Sequence, residues 1–146
     1  MRKIYLASPF FNEKELSVYK EVISILRNMK DTEVYVPQEF VIENAYDMPN
    51  DMWAEKVFKA DVKALRECEF VFVLNFGMYS DSGTAWEAGY AYALDKKVYQ
   101  VICLNDEKVD YSLMMLNGAN KVLTLNDLRK GVLPEKEETL LNILQK

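Results

Sequence analysis

The 146-residue chain contains no histidine, and that absence excludes more chemistry than any other feature of its composition. Without an imidazole there is no Ser-His-Asp or Cys-His arrangement, no histidine metal ligand, and no side chain whose ordinary pKa lies near neutrality. Acid–base and nucleophilic work must fall to carboxylates, Lys, Tyr or Cys. Cysteine is nearly as scarce. Cys68 and Cys103 sit in or beside apolar runs at a spacing that matches no zinc motif, so both read as reduced, buried thiols. There is no excess of positive charge: 18 Lys and Arg stand against 23 Asp and Glu, for a net charge of −5. The basic residues are spread along the chain, which argues against binding a nucleic-acid backbone. No apolar run approaches the roughly 20 residues that a membrane span needs. No leader precedes the apolar run at Ile4, so a cytoplasmic protein is expected. A dinucleotide fingerprint, a P-loop, a G-x-S-x-G elbow and carboxylates at metal spacing are all missing.

What remains is a chain that is 50% hydrophobic, enough for one cored domain spanning residues 1–146. Short apolar runs alternate with helical periodicity. Strands are expected at 3–7, 33–37, 70–75, 97–104 and 120–125. The spacing predicts helices over 13–29, from Asn50 or Asp51 to Glu67, over 84–94, and after Pro134. A further turn is expected from Asn126 or Asp127. Such alternation implies a doubly wound, flavodoxin- or Rossmann-like α/β domain with about five parallel strands and helices on both faces. Ligands in such sheets bind at the carboxyl ends of the strands, near the point where strand order reverses. The loops after residues 7, 37 and 75 are therefore the places to look for chemistry.

The third of these loops leads into Asp81-Ser-Gly-Thr-Ala-Trp-Glu87-Ala-Gly-Tyr. Thr84 and Glu87 have capping-box spacing, in which Thr84 caps the helix and Glu87 reaches back to the cap. The other reading is chemical: a carboxylate in the first turn is kept ionised by the helix field and is suited to attack a glycosyl carbon. Gly83 and Gly89 would let a ligand or another chain approach. Asp81 reads as a turn former and Asp61 as a water-facing residue of an amphipathic helix. Tyr5 reads as core packing, unless its hydroxyl reaches a carboxylate at the strand ends. Phe10 and Phe11 follow no period, and either plug the sheet or line a pocket for a flat ring.

Taken together, Lys-Ile-Tyr-Leu-Ala-Ser-Pro-Phe-Phe-Asn at 3–12, the segment at 53–65, the run at 70–94 and the strand and loop at 97–114 resemble the nucleoside 2-deoxyribosyltransferase family. The aspartate six residues before a glutamate, followed by Gly-Tyr-Ala, is the most specific element. The resemblance implies transfer of a 2-deoxyribosyl group between nucleobases by a retaining double displacement through a covalent deoxyribosyl-glutamate. It implies Glu87 as nucleophile, Tyr5 as the residue that orients it, and Asp61 and Asp81 as the carboxylates that manage base protonation. Phe11 would line the base pocket. Ser112 and Met114 stand where the family's Asn-Leu-Met reaches a neighbouring subunit's sugar, with serine departing from asparagine, and Gln38 is a further substrate-binding candidate. The implied partners are 2′-deoxyribonucleosides and free purine or pyrimidine bases, in a homo-oligomer that is a hexamer built from dimers. No metal or organic cofactor is implied. The alternatives are a 2′-deoxynucleoside 5′-monophosphate N-glycosidase and a non-catalytic nucleoside-binding module.

Overall fold

The computed structural model describes residues 1–79, 81–104 and 109–131. Five strands, β1 (Arg2–Ala7), β2 (Thr32–Tyr35), β3 (Phe70–Asn75), β4 (Lys97–Ile102) and β5 (Lys121–Thr124), pair in parallel in the order β2-β1-β3-β4-β5. Strand order therefore reverses between β1 and β3, the crevice where this class of sheet binds ligands. Among the described residues, five helices accompany the strands: α1 (Glu13–Arg27), α2 (Asn50–Glu67), α3 (Ser82–Ala93), α4 (Leu113–Asn117) and α5 (Leu125–Arg129). Single 3₁₀ turns follow β2 at Pro37–Glu39 and Ala45–Asp47. The helix expected after Pro134 lies outside the described residues.

The two-residue period of the strands sorts their side chains onto opposite faces. Ile4, Leu6, Phe72, Leu74 and Val101 pack with Val22 and Leu26 of α1 and Leu128 of α5. Tyr5, Ala7, Val71, Val73 and Val98 pack with Leu65 of α2 and with Ala88 and Ala91 of α3. Alternation thus sends Tyr5 to the face covered by the helices that carry Asp61 and Glu87.

Helix starts differ from the sequence expectations, each for a local reason. The hydrogen bonding of α2 begins at Pro49, whose carbonyl accepts from Trp53 N at 3.0 Å, so Asn50 and Asp51 lie inside the helix and do not cap it. Asp51 in the first turn still favours the positive helix end. At α5 the cap is Thr124, reciprocated by Asp127 in a complete capping box, which also ends β5 one residue early. Helix α1 stops at Arg27, whose guanidinium forks onto Glu39 and thereby ties the Pro37–Glu39 turn to the helix end.

A buried amide pair fixes the loop that enters α3. Asn75 and Gln100 are both fully buried; Asn75 Nδ2 donates to Gln100 Oε1 at 3.1 Å, and Asn75 Oδ1 accepts from Gly77 N at 3.0 Å. Gly77 has φ +113°, a conformation that glycine adopts without strain. Breaking a buried pair leaves its partner short of a hydrogen bond, at a cost of about 1–3 kcal/mol. Asn75→Ala is therefore expected to lose about that much stability in denaturant unfolding at constant m-value. An unfolding midpoint equal to the parent's would show that the pair does not anchor the loop.

Candidate active site

Four side chains from four elements meet at the carboxyl edge of the sheet, on the α2/α3 face. Tyr5 and Tyr35 are register partners on β1 and β2, so they point to the same face side by side. Their rings stack with centroids 5.4 Å apart and planes 20° apart. Tyr5, with 0% of its surface exposed, donates its hydroxyl hydrogen to Glu87 Oε2 on α3. Tyr35 donates to Asp61 Oδ1 on α2 at 3.0 Å. Each hydroxyl engages a different carboxylate, and each carboxylate comes from a different helix.

The electrostatics follow from burial. Loss of hydration pushes the Glu87 carboxyl up to about 7, the Tyr5 hydrogen bond pulls the other way, and the nearby charges of Asp61 and Asp81 add to the rise. Burial also raises Asp61, opposed by the Tyr35 hydrogen bond. Both tyrosines are raised, first by burial and then by the carboxylates they face, so they remain donors at neutral pH. A tyrosine-held carboxylate thus lies at the strand-order reversal, next to a second carboxyl with raised proton affinity, in a chain without histidine.

The capping reading of Thr84 and Glu87 is corrected here. The cap of α3 is Asp81, whose Oδ2 accepts from Thr84 N at 2.8 Å and from Thr84 Oγ1 at 2.9 Å. The helix consequently begins at Ser82, two residues earlier than expected, and Glu87 falls in its second turn. Its carboxylate is turned to Tyr5 rather than to the cap. The helix field at that depth does not keep Glu87 acidic, because desolvation outweighs it and raises the group. Asp61, expected to face water, is partly buried against Tyr35. A Cβ on Gly83 would lie 3.1 Å from Asp81 Oδ2, so this glycine accommodates the cap, whereas Gly89 is open on the outer surface.

The remaining candidates are spread more widely. Phe10 is partly buried on Tyr19 and plugs the sheet, while Phe11, 74% exposed, stacks on Phe10 with centroids 5.3 Å apart. Gln38 is exposed on the turn after β2, with its backbone near the buried Tyr19 hydroxyl but outside hydrogen-bonding geometry. Ser112 caps α4, its hydroxyl accepting from Met115 N at 3.4 Å, and Met114 is exposed. Both line a groove of about 520 Å³ with Met78, Ala85, Gly89 and Tyr92. At about 100° per residue, that edge of α3 is roughly opposite Glu87, so the chain does not bring Ser112 and Met114 to its own Tyr5–Glu87 pair. Tyr35 was not singled out from the sequence; its position one residue before Val36-Pro37, at the end of a short strand, was the available signal.

Glu87 has a stability consequence with a definite sign. Its carboxyl binds a proton more tightly in the folded chain, up to about 7, than at its ordinary value of 4.5. Its favourable contribution is therefore complete below the ordinary glutamate range and is lost as pH rises through about 7. Glu87→Gln keeps an acceptor for Tyr5 and has no proton to lose. The variant is expected to gain on the parent by about 2.5 kcal/mol between pH 5 and pH 8, at roughly 1.4 kcal/mol per pKa unit. Urea unfolding of both proteins at the two pH values measures this; a pH-independent difference would contradict the raised Glu87.

The comparisons with known proteins bear on the family and the fold. The family model for nucleoside 2-deoxyribosyltransferases matches residues 4–144. A 2-deoxyribosyltransferase from Bacillus psychrosaccharolyticus superposes with a TM-score of 0.67 at 26% identity, over 99% of this chain and 91% of that one. A CMP N-glycosidase from Clostridium botulinum has a TM-score of 0.62 at 21% identity, over 90% and 100% of the respective chains. A 2-deoxyribosyltransferase from Leishmania mexicana gives 0.62 at 18% identity, over 90% and 96%. The last two share the fold. No curated protein matches the chain by sequence. With the family model spanning nearly its whole length, the chain belongs to the nucleoside 2-deoxyribosyltransferase family.

Proposed function

We propose that the protein transfers a 2-deoxyribosyl group between nucleobases, with Glu87 as the covalent nucleophile. The observation that carries this reading is the hydrogen bond from Tyr5 to Glu87 Oε2 at the strand-order reversal. It holds one oxygen and leaves Oε1 to attack. In the first displacement Oε1 bonds to the anomeric carbon as the N-glycosidic bond breaks, and the bonding pair departs with the base. The base nitrogen takes a proton from a neighbouring carboxyl. Asp61 suits this role, since burial raises its proton affinity, whereas Asp81 has one oxygen committed to Thr84. In the second displacement another base attacks the same carbon, returns its proton to the carboxylate and releases Glu87, so configuration is retained.

A nucleoside fits this site better than a 5′-nucleotide. In doubly wound sheets a phosphate sits on the helix N-terminus after the first strand. Here that end is already satisfied: Asn12 Oδ1 accepts from Glu15 N at 2.8 Å, and Glu15 Oε1 accepts from Phe11 N at 3.0 Å. The Glu15 carboxylate occupies the anion position, and the loop at residues 8–12 carries no cation. Nucleotide hydrolysis is the second reading, supported by the likeness to a CMP N-glycosidase.

The exposed face formed by Gly89 and Tyr92 with Leu113 and Met114 of α4 supports assembly into a homo-oligomer. In that assembly, a hexamer built as a trimer of dimers, Ser112 and Met114 of one subunit would serve a neighbour's site. Met114→Glu is expected to reduce the mass seen by light scattering and to lower exchange activity together; an unchanged mass would remove this assignment.

Incubation with deoxythymidine and adenine is expected to yield deoxyadenosine and thymine on chromatography. Glu87→Ala should lower that rate by about a thousandfold or more, as loss of a nucleophile does, with the fold retained. Deoxythymidine 5′-monophosphate should be cleaved far more slowly than deoxythymidine is exchanged. Efficient release of thymine from the monophosphate, with no base exchange, would replace this reading with the hydrolase.

A further inference from the structure

Tyr35 lies outside the set of residues that the family resemblance points to, yet it holds the second carboxylate of the site. It sits at the end of the edge strand β2, in register with Tyr5. Its ring is fixed by the stack on Tyr5, and its hydroxyl donates to Asp61 Oδ1 at 3.0 Å. The arrangement repeats the Tyr5–Glu87 pair one strand over. In each pair one carboxylate oxygen is taken by a tyrosine and one is left over: Oε1 of Glu87 and Oδ2 of Asp61. The two carboxylates belong to different helices, α2 and α3. Their spacing would drift with any shift between those helices. Stacked tyrosines on hydrogen-bonded neighbouring strands tie both to the β1–β2 ladder, which is the stiffer frame.

We propose that Tyr35 is a positioning residue for the transfer reaction: it clamps Asp61 by Oδ1 so that Oδ2 is the oxygen that exchanges a proton with the base, at a distance from Glu87 set by the Tyr5–Tyr35 stack. This rests on the reading of the site as a base-exchange centre. The consequence for protonation has a fixed sign. The groups that act on the two carboxyls are Tyr35 from β2, Tyr5 from β1, Asp61 from α2, and Glu87 and Asp81 from α3 and its cap. Hydrogen bonding by Tyr35 favours ionised Asp61, and ionised Asp61 in turn favours protonated Glu87. Removing the Tyr35 hydroxyl therefore moves the two carboxyls in opposite directions, Asp61 up and Glu87 down. A tyrosine that only filled space, without the hydrogen bond to Asp61, would move neither.

The test uses the full chain and the variants Tyr35→Phe, which keeps the stack, and Tyr35→Leu, which abolishes it. Asp61 and Glu87 are followed by carboxyl carbon NMR across pH, with resonances assigned through Asp61→Asn and Glu87→Gln. Exchange of deoxythymidine with adenine is measured in parallel. In Tyr35→Phe the Asp61 midpoint should rise by about one pH unit and the Glu87 midpoint should fall, as expected for loss of a hydrogen bond to a charged group. The same variant should lose about tenfold in kcat with KM changed less than about threefold, the pattern of a lost transition-state contact. Tyr35→Leu should lose more in kcat than Tyr35→Phe. If Asp61 titrates as in the parent, or kcat is unchanged in Tyr35→Phe, the proposal is overturned. If the parent exchanges no base while the Asp61 midpoint still shifts in Tyr35→Phe, the transfer reading fails and the clamp on Asp61 stands.

Discussion

The hydrogen bond between Tyr5 and Glu87 is the contact on which the rest of the site depends. A carboxylate withdrawn from water is driven toward its protonated form, and a protonated glutamate does not attack carbon. For Glu87 to act as the proposed nucleophile, the fold has to desolvate it while retaining the ion. A phenol donor buried at 0% exposure meets both demands, since it supplies a hydrogen bond and carries no charge of its own. Tyr5 can do this only because β1 lies between β2 and β3, with its side-chain alternation set by two ladders at once. A slip of one residue in register would send Tyr5 to the α1 face and expose the opposite set of side chains to the site. The geometry of the site is therefore inherited from the sheet, which pairs two tyrosines with two carboxylates.

Much of this architecture was legible in the residues, and the failures have identifiable physical origins. Strand–helix alternation predicted the parallel sheet because each apolar run had the length and period of its element; β3 at Phe70–Asn75 coincides with the expectation. Helix starts were less legible, because caps are chosen by competition among adjacent polar residues. Around α3, Asp81 with Thr84 and Thr84 with Glu87 both have the three-residue offset of a cap. The first pairing wins because Asp81 satisfies the backbone and hydroxyl of Thr84 together, and it frees Glu87 for Tyr5. Asp61 was misread for a related reason. Helical periodicity says which residues share a face, but not that a strand-end tyrosine waits opposite one of them. Tyr35 was not visible as a site residue, since its role arises from pairing with Tyr5, and strand register is a property of the assembled sheet.

Fold and chemistry separate within the structures that this chain resembles. A deoxyribosyltransferase and a CMP N-glycosidase superpose on it with TM-scores of 0.67 and 0.62, so the sheet does not choose between a base and water as acceptor. The choice must lie in loops at the carboxyl edge and in what covers them. At the first loop the chain has spent its helix N-terminus on Asn12 and Glu15, a local capping solution that also leaves a negative charge at that helix end. Under the proposed transfer reaction, this hydrogen bonding made for helix stability would also disfavour a 5′-phosphate on the substrate.

Helix α3 carries the last constraint. Its inward residues Thr84, Ala88 and Ala91 are small and buried, which lets the helix lie close to the sheet and brings Glu87 within reach of Tyr5. On one side, Trp86 and Tyr90 stack with centroids 5.1 Å apart and pack toward Phe58 of α2, fixing the helix's rotation about its axis. On the other side lie Gly89 and Tyr92, beside Met114 of α4, and this edge is left to solvent. A helix rotated to cover that edge would carry Glu87 away from Tyr5. The apolar edge is therefore a geometric consequence of aiming Glu87 at Tyr5, and the chain has no way to bury it within the described residues without giving up the tyrosine–carboxylate contact.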